Sequence, residues 1–477
     1  MQITSQYYIL LSVVSIFIYY LLNKKYRVLF LSLLSAAFIV TYSYILLLYV
    51  LAFSLFNYFI GLKLPDSGKK KTLYLTGVII NVFQLILLKY VSFTINPLLH
   101  LLHVDLDLTI IARVIVPLGV SYFSLQGIGY LINLKMGWEK PEKSFPDFLL
   151  YIIFFPKFLS GPIERSNHFL PQLKEGKKFD TEMVSSGLRI VLIGLFKKVA
   201  IANQLAPYVL DAFRDVQAAT PWGLWVLFFL LPIYLYFDFS GYTDIAIGIA
   251  RTFGIELLPN FNTPFFAHNV TTFWKRFHIS LASWFGDYIF RQTVFKRRKW
   301  GVYASVYAVF ITWTLFGIWH GAGWHFMALG FLQALLINYE FFTRKARYRF
   351  FSRLPAFINI WTGRIFTYIF YCISLVFFFS SDLHSVFAYF ARLREVKGPL
   401  YIDDISTKPF MLVIYIPVFL FLEFMQNDMN KTYLRLEKFW LGSSTPSRIF
   451  RWTTYSVIIT IIYIVGLKAE QFVYANF

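Results

Sequence analysis

The chain has 477 residues, of which 58% are hydrophobic, 21% aromatic and only 15% charged. Soluble domains average about 45–50% apolar and about 25% charged residues, so this composition excludes a cytosolic enzyme, a disordered chain and a secreted disulfide scaffold. The net charge of +20 comes from short runs of Lys and Arg between apolar segments. Such runs are typical of the loops of a multi-pass membrane protein, and they do not indicate a nucleic-acid-binding surface.

Apolar segments follow one another along the whole chain, and about 20 apolar residues cross a bilayer as a helix. The candidate spans are 7–22, 28–41, 43–62, 73–90, 114–134, 146–160, 184–204, 222–239, 242–255, 302–319, 322–342, 359–380, 409–426 and 452–467. The runs 150–159 and 245–253 are too short to cross alone, so we predict half-spans whose backbone is covered by protein. The expected fold is an all-α polytopic membrane protein with roughly 10–12 transmembrane helices plus re-entrant and interfacial helices.

The basic runs also predict the orientation of the chain in the membrane. Lys24–Arg27 and Lys69–Lys71 are expected in the cytoplasm, and the segment 91–110, without Lys or Arg, outside. Residues 468–477 are then expected on the outer face. The single cysteine, Cys372, excludes an internal disulfide and a multi-cysteine metal site.

Ionisable residues within apolar sequence are concentrated in the middle third of the chain, and such residues are functional candidates by default. The segment 236–244 carries two carboxylates, Asp238 and Asp244. In the segment 273–288, the i, i+4 spacing of Trp274 and His278 predicts one face of an amphipathic interfacial helix.

A third polar segment surrounds His320, which ends a long apolar stretch directly after Trp319. Gly321 and Gly323 follow, and their lack of side chains is expected to let a substrate approach the imidazole. A neutral histidine in a low-dielectric pocket can act as a general base. His320 and His325 lie five residues apart with no carboxylate nearby in sequence, so we predict no metal site.

Two functions remain open on these residues alone. One is a membrane-embedded acyl or group transferase with a histidine base, and the other is a transporter that relays protons through carboxylates and histidines. Each single histidine is also compatible with a packing role. A transporter usually shows two related halves, and this chain shows no such repeat, which favours the enzyme.

The motifs of this chain resemble the membrane-bound O-acyltransferase family, especially its bacterial branch of alginate O-acetyltransferases and teichoic acid D-alanyltransferases. The matching blocks occur in the family order, at 116–123, 154–163, 236–244, 259–262, 273–283 and 319–322. The resemblance implies a catalytic core at 113–345 with a central funnel. Transmembrane helices at 1–112 and 346–477 are expected to flank this core.

The resemblance also implies the roles of individual residues. His320 matches the essential histidine at the floor of the funnel, and His278, 42 residues earlier, matches the second histidine. The chain ends in Phe472-Val473-Tyr474-Ala475-Asn476-Phe477, which resembles a C-terminal motif whose tyrosine, here Tyr474, carries the acyl group. An aromatic membrane-interface residue is the alternative interpretation of Tyr474. Further substrate-binding candidates are Trp274, Asp287, Trp319 and Asp238.

The resemblance further implies the reaction partners. An acyl thioester, either an acyl-carrier protein or acetyl-CoA, is expected to donate an acyl group, most simply acetyl, from the cytoplasm, with no bound cofactor. A secreted or membrane-anchored acetyltransferase is expected on the outer side of a bacterial cytoplasmic membrane, where an envelope polysaccharide is modified. D-alanyl and phospholipid acyl transfer remain alternatives. Gly286 stands where the alginate group has an arginine, and the segment 295–300 is strongly basic, which suits an acidic carrier protein or a membrane anchor.

Overall fold

The computed structural model describes residues 2–91, 93–103, 108–109, 111, 118–395, 397, 417–418, 421, 438–440 and 442–465. Within these ranges the chain forms helices and no β-strand, which confirms the predicted all-α class. The α-helices are Gln6–Leu21 (α1), Lys24–Val40 (α2), Tyr44–Lys63 (α3), Lys70–Leu85 (α4), Ile95–Leu101 (α5), Val120–Met136 (α6), Phe145–Ile153 (α7), Ser166–Glu175 (α8), Thr181–Leu195 (α9), Asn203–Arg214 (α10), Pro221–Thr252 (α11), Val270–Trp274 (α12), Ile279–Phe285 (α13), Arg291–Lys296 (α14), Val302–His320 (α15), Trp324–Phe351 (α16), Ala356–Phe379 (α17), Leu383–Arg392 (α18) and Thr445–Val465 (α19).

Seven helices of the described ranges are long and apolar enough to cross a membrane. They are Tyr44–Lys63, Lys70–Tyr90, Pro221–Thr252, Val302–His320, Trp324–Phe351, Ala356–Phe379 and Thr445–Val465. Lys70–Tyr90 combines α4 with a π-helical turn, Ile86–Tyr90. The chain is therefore a multi-pass membrane protein, and the predicted span 409–426 lies almost wholly outside the described residues.

The prediction of two separate segments at 222–239 and 242–255 is wrong, because α11 runs unbroken through both. Three polar residues of this stretch, Asp238, Ser240 and Thr243, are buried within the helix, and Asp238 forms an ion pair with Lys198. A charge with a partner can remain inside a long apolar helix without breaking it. The segment 245–253 is thus the last part of this helix and not a half-span.

The chain divides into two compact units. One comprises residues up to 194 together with 242–259, and the other comprises 195–241 together with the described residues from 260 onwards. In the first unit, α7 is short and ends at Ile153, and Phe154 and Phe155 continue as buried non-helical chain. This agrees with the prediction of a protein-covered half-span near 150–159.

In the second unit, α15 and α16 form a tight antiparallel hairpin joined by residues 321–323. A side chain at Gly317 would collide with the backbone carbonyl of Phe326, and one at Gly330 with the carbonyl of Trp313. Glycine at both positions therefore allows the two helix backbones to approach closely. This packing fixes the end of α15, where His320 lies.

Candidate functional site

The second unit brings together the two histidines that the sequence singled out. The ring centroids of His278 and His320 are 6.5 Å apart, and the two residues are only 1% and 5% exposed. The Trp319 ring lies 6.0 Å from His278 and 5.0 Å from His320. Residues 42 positions apart in sequence thus form one buried centre.

The local structure around His278 differs from the predicted amphipathic helix. Helix α12 ends at Trp274, and His278 precedes α13 with a φ of 49°. Trp274 and His278 therefore do not share a helical face, and the predicted i, i+4 relation is wrong. A left-handed backbone conformation is costly for a residue with a side chain, so the surrounding structure must hold it.

The segment 260–262 supplies the bonds that hold His278. The backbone N–H of Asn262 donates to the carbonyl of Arg276 at 2.9 Å, and that of Ile279 to the carbonyl of Asn260 at 3.0 Å. The Asn260 side-chain oxygen accepts from the Ser280 backbone at 3.2 Å and from its hydroxyl at 2.6 Å. Because these tertiary bonds fix the chain on both sides of His278, they override the helical periodicity of the sequence.

Aromatic rings form the walls around the two imidazoles. Phe239 of α11 contacts the His278 ring edge-on at 4.6 Å, and Phe316 and Phe378 lie 5.0 and 5.5 Å from the His320 ring. Burial among these groups lowers the pKa of His278 to about 3, because desolvation penalises the charged imidazolium. This lowered pKa favours the neutral ring, which has one N–H donor and one nitrogen acceptor for hydrogen bonds.

The glycines after His320 do not leave open space as the sequence suggested. A side chain at Gly321 would collide with the Phe326 ring, and one at Gly323 with the His325 ring. Rings of α16 thus occupy the space next to both glycines. The absence of a Cβ at these positions serves hairpin packing rather than clearance for a substrate.

Trp274 is held by a polar chain that sequence analysis did not identify. Its indole N–H donates to Gln333 at 3.0 Å, and the Gln333 amide donates to the Ser374 hydroxyl at 2.8 Å. Gln333 is buried on α16, and the Trp274 ring packs 4.8 Å from that of Trp313. The indole is therefore fixed in orientation on both its polar and its apolar side.

Glu340 holds the other end of α12. Its carboxylate accepts hydrogen bonds from the backbone N–H of Val270 at 2.7 Å, the backbone N–H of Thr271 at 2.9 Å and the Thr271 hydroxyl at 2.6 Å. A carboxylate at a helix N-terminus satisfies donors that have no partner within the helix. A lone acid inside the apolar sequence of α16 was the available signal for this role, and the sequence analysis passed over it.

The remaining predicted site residues have different surroundings. Asp238 is buried in an ion pair with Lys198, whereas Asp287 is partly exposed and pairs with Arg291 at 3.1 Å, one helical turn away. Tyr474 lies outside the described residues. Among the described residues, no group of three His, Cys, Asp or Glu side chains is close enough to hold a metal ion.

The fold and the site together define a polytopic membrane protein with a buried histidine centre. Residues 139–381 match the model of the membrane-bound O-acyltransferase (MBOAT) family, and this region contains both histidines, Trp274 and Trp319. The chain belongs to this family.

The chain spans about two thirds of the length of the curated relatives that it matches. The chain is 31% identical over 384 residues to the peptidoglycan O-acetyltransferase of Helicobacter pylori, and the aligned region covers 74% of this chain and 69% of the relative. It is 30% identical over 334 residues to a protein of Pseudomonas syringae pv. tomato named "Probable alginate O-acetylase AlgI", with 67% of this chain and 64% of the relative covered. It is also 30% identical over 279 residues to the teichoic acid D-alanyltransferase of Bacillus subtilis, with 56% and 69% covered.

Proposed function

We propose that the chain is a membrane-embedded O-acyltransferase in which His320 is the general base. The observation that carries this proposal is the buried pair of His320 and His278, which lies inside the region that matches the family. A buried imidazole with aromatic walls suits proton abstraction from a hydroxyl, because the walls hold the ring in place and shield it from bulk water.

The reaction we propose is transfer of an acyl group, most simply acetyl, from a thioester. The attacking hydroxyl gives its proton to His320 as its oxygen bonds to the thioester carbonyl carbon. The tetrahedral intermediate then collapses, the carbon–sulfur bond breaks, and the thiolate leaves and takes up the proton. His278 orients the thioester or donates a hydrogen bond to the developing oxyanion. An acyl-transfer site requires such a donor, because negative charge develops on the carbonyl oxygen in the transition state.

The acceptor we propose is an exported envelope polysaccharide at the bacterial cytoplasmic membrane. The names of the relatives support this class, since they specify alginate, peptidoglycan and teichoic acid. The donor is an acyl-carrier protein or acetyl-CoA on the cytoplasmic side, and a secreted or membrane-anchored acetyltransferase completes the transfer outside. D-alanyl and phospholipid acyl transfer are the alternative reactions.

We further propose Tyr474 as an intermediate acyl carrier. A phenol has a pKa near 10, so it needs a neighbouring base to become a nucleophile in a dry pocket. His320 would provide that base, and the acyl tyrosine would then pass its group to the outer partner.

The general base is tested by turnover in proteoliposomes supplied separately with acetyl-CoA and with acetylated carrier protein. His320→Gln should lower the rate by about 10²–10⁴-fold. His325→Gln is the matched control, because His325 is also buried and lies five residues away, and it should keep most of the activity. Full turnover by His320→Gln would remove this residue from the mechanism. Substrate flux across the membrane that depends on the histidine but occurs without acyl transfer would favour the transporter.

The tyrosine carrier is tested by trapping the protein with a labelled thioester and mapping the label by mass spectrometry. Tyr474→Phe should abolish the C-terminal label, whereas Tyr463→Phe, an exposed tyrosine on α19, should retain it. A label that persists in Tyr474→Phe would contradict the proposal.

A further inference from the structure

A cavity of about 820 Å³ lies in the second unit, and the proposed reaction does not use it. Most of its walls come from α15, α16, the start of α12 and the first half of α17, and His268, Asn269 and Phe290 complete them. Its volume is within the range of small-molecule and lipid sites. The residues that line the cavity then indicate which class of ligand it can bind.

One part of the cavity is apolar and laterally open. Val306 and Val309 of α15 line it, together with Phe341 of α16 and Phe366 of α17. Phe341 is 52% exposed and Phe366 is 49% exposed, and both lie on helices long and apolar enough to cross a membrane. In a bilayer such exposed aromatic flanks face hydrocarbon, so this side of the cavity is accessible to lipid chains.

The other part of the cavity carries two arginines, Arg344 and Arg347. Arg347 is oriented along the wall, because its Nε donates to the Thr343 hydroxyl at 3.1 Å and its Nη2 to the Glu340 carbonyl at 2.9 Å. A guanidinium has five N–H donors, so these two bonds leave donors for an anion. Within the described ranges, neither arginine forms an ion pair with a carboxylate.

The acid that lines the same cavity is already engaged. Glu340 accepts three hydrogen bonds from Val270 and Thr271, so its negative charge is directed at the N-terminus of α12. The donors of Val270 and Thr271 thus occupy the carboxylate, and Arg344 and Arg347 are the two guanidinium groups that line the cavity.

We infer that this cavity is a binding site for one anionic phospholipid. Its phosphodiester headgroup binds Arg344 and Arg347, and one acyl chain lies along Val306, Val309, Phe341 and Phe366. Basic pockets between transmembrane helices bind anionic headgroups in this manner, and the attraction amounts to a several-fold gain in affinity for each basic residue. Binding of this lipid does not depend on acyl transfer.

The test is native mass spectrometry of the delipidated full-length protein, titrated with phosphatidylglycerol or with phosphatidylcholine of the same chains. The native protein should bind one phosphatidylglycerol at least about tenfold more tightly than phosphatidylcholine. Arg344→Gln combined with Arg347→Gln should abolish this preference. Lys345→Gln combined with Arg349→Gln is the matched control, because it removes the same charge from the same helix but from residues that do not line the cavity, and it should retain the preference.

A second variant tests the apolar part. Val309→Trp should fill the groove and weaken the binding of both lipids while the protein keeps its unfolding temperature. If the two charge variants lose the preference for phosphatidylglycerol equally, the inference is overturned, because the lipid is then attracted by the overall positive charge of the protein and not by this cavity. Displacement of phosphatidylglycerol by coenzyme A, or by soluble glycerophosphoglycerol at equal concentration, would also overturn it, because the site would then recognise phosphate without the lipid chain.

Discussion

The carboxylate of Glu340 accepts hydrogen bonds from the first turn of α12, and Glu340→Gln tests how strongly the site depends on it. The glutamine keeps the shape and one acceptor oxygen but replaces the other oxygen with an NH₂ group. At least one of the three hydrogen bonds, which measure 2.6–2.9 Å, must therefore be lost. Because bonds to a charged group contribute about 1.5–3 kcal/mol each, we expect the free energy of unfolding to fall by about 2–4 kcal/mol.

The same change should reduce catalysis, because Trp274 ends α12 and His278 follows four residues later. A displacement of about 1 Å in a positioned group can cost about 100-fold in rate, so we expect kcat to fall at least tenfold with a smaller change in KM. Thr271→Val removes one hydroxyl donor and keeps both backbone bonds, so it should cost about 1 kcal/mol. Glu182→Gln, at an exposed glutamate in a surface ion pair, is the control for loss of a negative charge.

The assays are unfolding in detergent micelles and acyl-transfer turnover in proteoliposomes. Native stability together with native turnover in Glu340→Gln would refute the view that this carboxylate anchors α12. Lost stability with unchanged turnover would show that α12 does not position the catalytic centre.

Three further perturbations probe the packing of the site. Burial lowers the pKa of His278 to about 3, so the stability contributed by the neutral ring should be complete above about pH 6.5 and be lost as the pH falls towards 3. Across this range, the unfolding temperature should decline less steeply in His278→Gln than in the native protein. An equal decline in both would contradict the lowered pKa of His278. Asn260→Ala removes both bonds to Ser280, so unfolding in micelles should show a loss of about 1–3 kcal/mol together with reduced turnover, and an unchanged variant would show that these bonds do not hold the segment. Asp238→Leu should cost about 3–5 kcal/mol, because it removes the carboxylate that pairs with the buried Lys198, and the added change Lys198→Leu should recover most of that loss. If the double variant is stable and active, the pair is structural; if it is stable but inactive, the pair takes part in the reaction.

Much of the fold could be predicted from composition, because a lipid-soluble helix needs only length and apolarity to be recognised. The helices at 44–63 and 302–320 begin and end within a residue or two of their predicted bounds. The division of α11 into two segments failed for a physical reason. The partner of Asp238 lies 40 residues earlier, at Lys198, and sequence patterns do not show which distant charges pair.

The candidate site was predicted in part. The resemblance singled out His278 and His320, the structure adds that their rings lie 6.5 Å apart, and their catalytic roles remain proposals. The backbone conformation at His278 could not be predicted, because it is imposed by pairing with the segment 260–262. Gln333 and Glu340 were missed because each acts through a contact more than 50 residues away along the chain, while its own neighbours indicate only an apolar helix.

We propose that His278 and His320 work as one centre, and a double-mutant cycle on acyl-transfer turnover tests this most directly. Residues that act together in one step are strongly non-additive, so His278→Gln combined with His320→Gln should be no slower than the slower single variant, within about threefold. If the two losses multiply, the histidines act independently, and the account of a shared catalytic centre is contradicted.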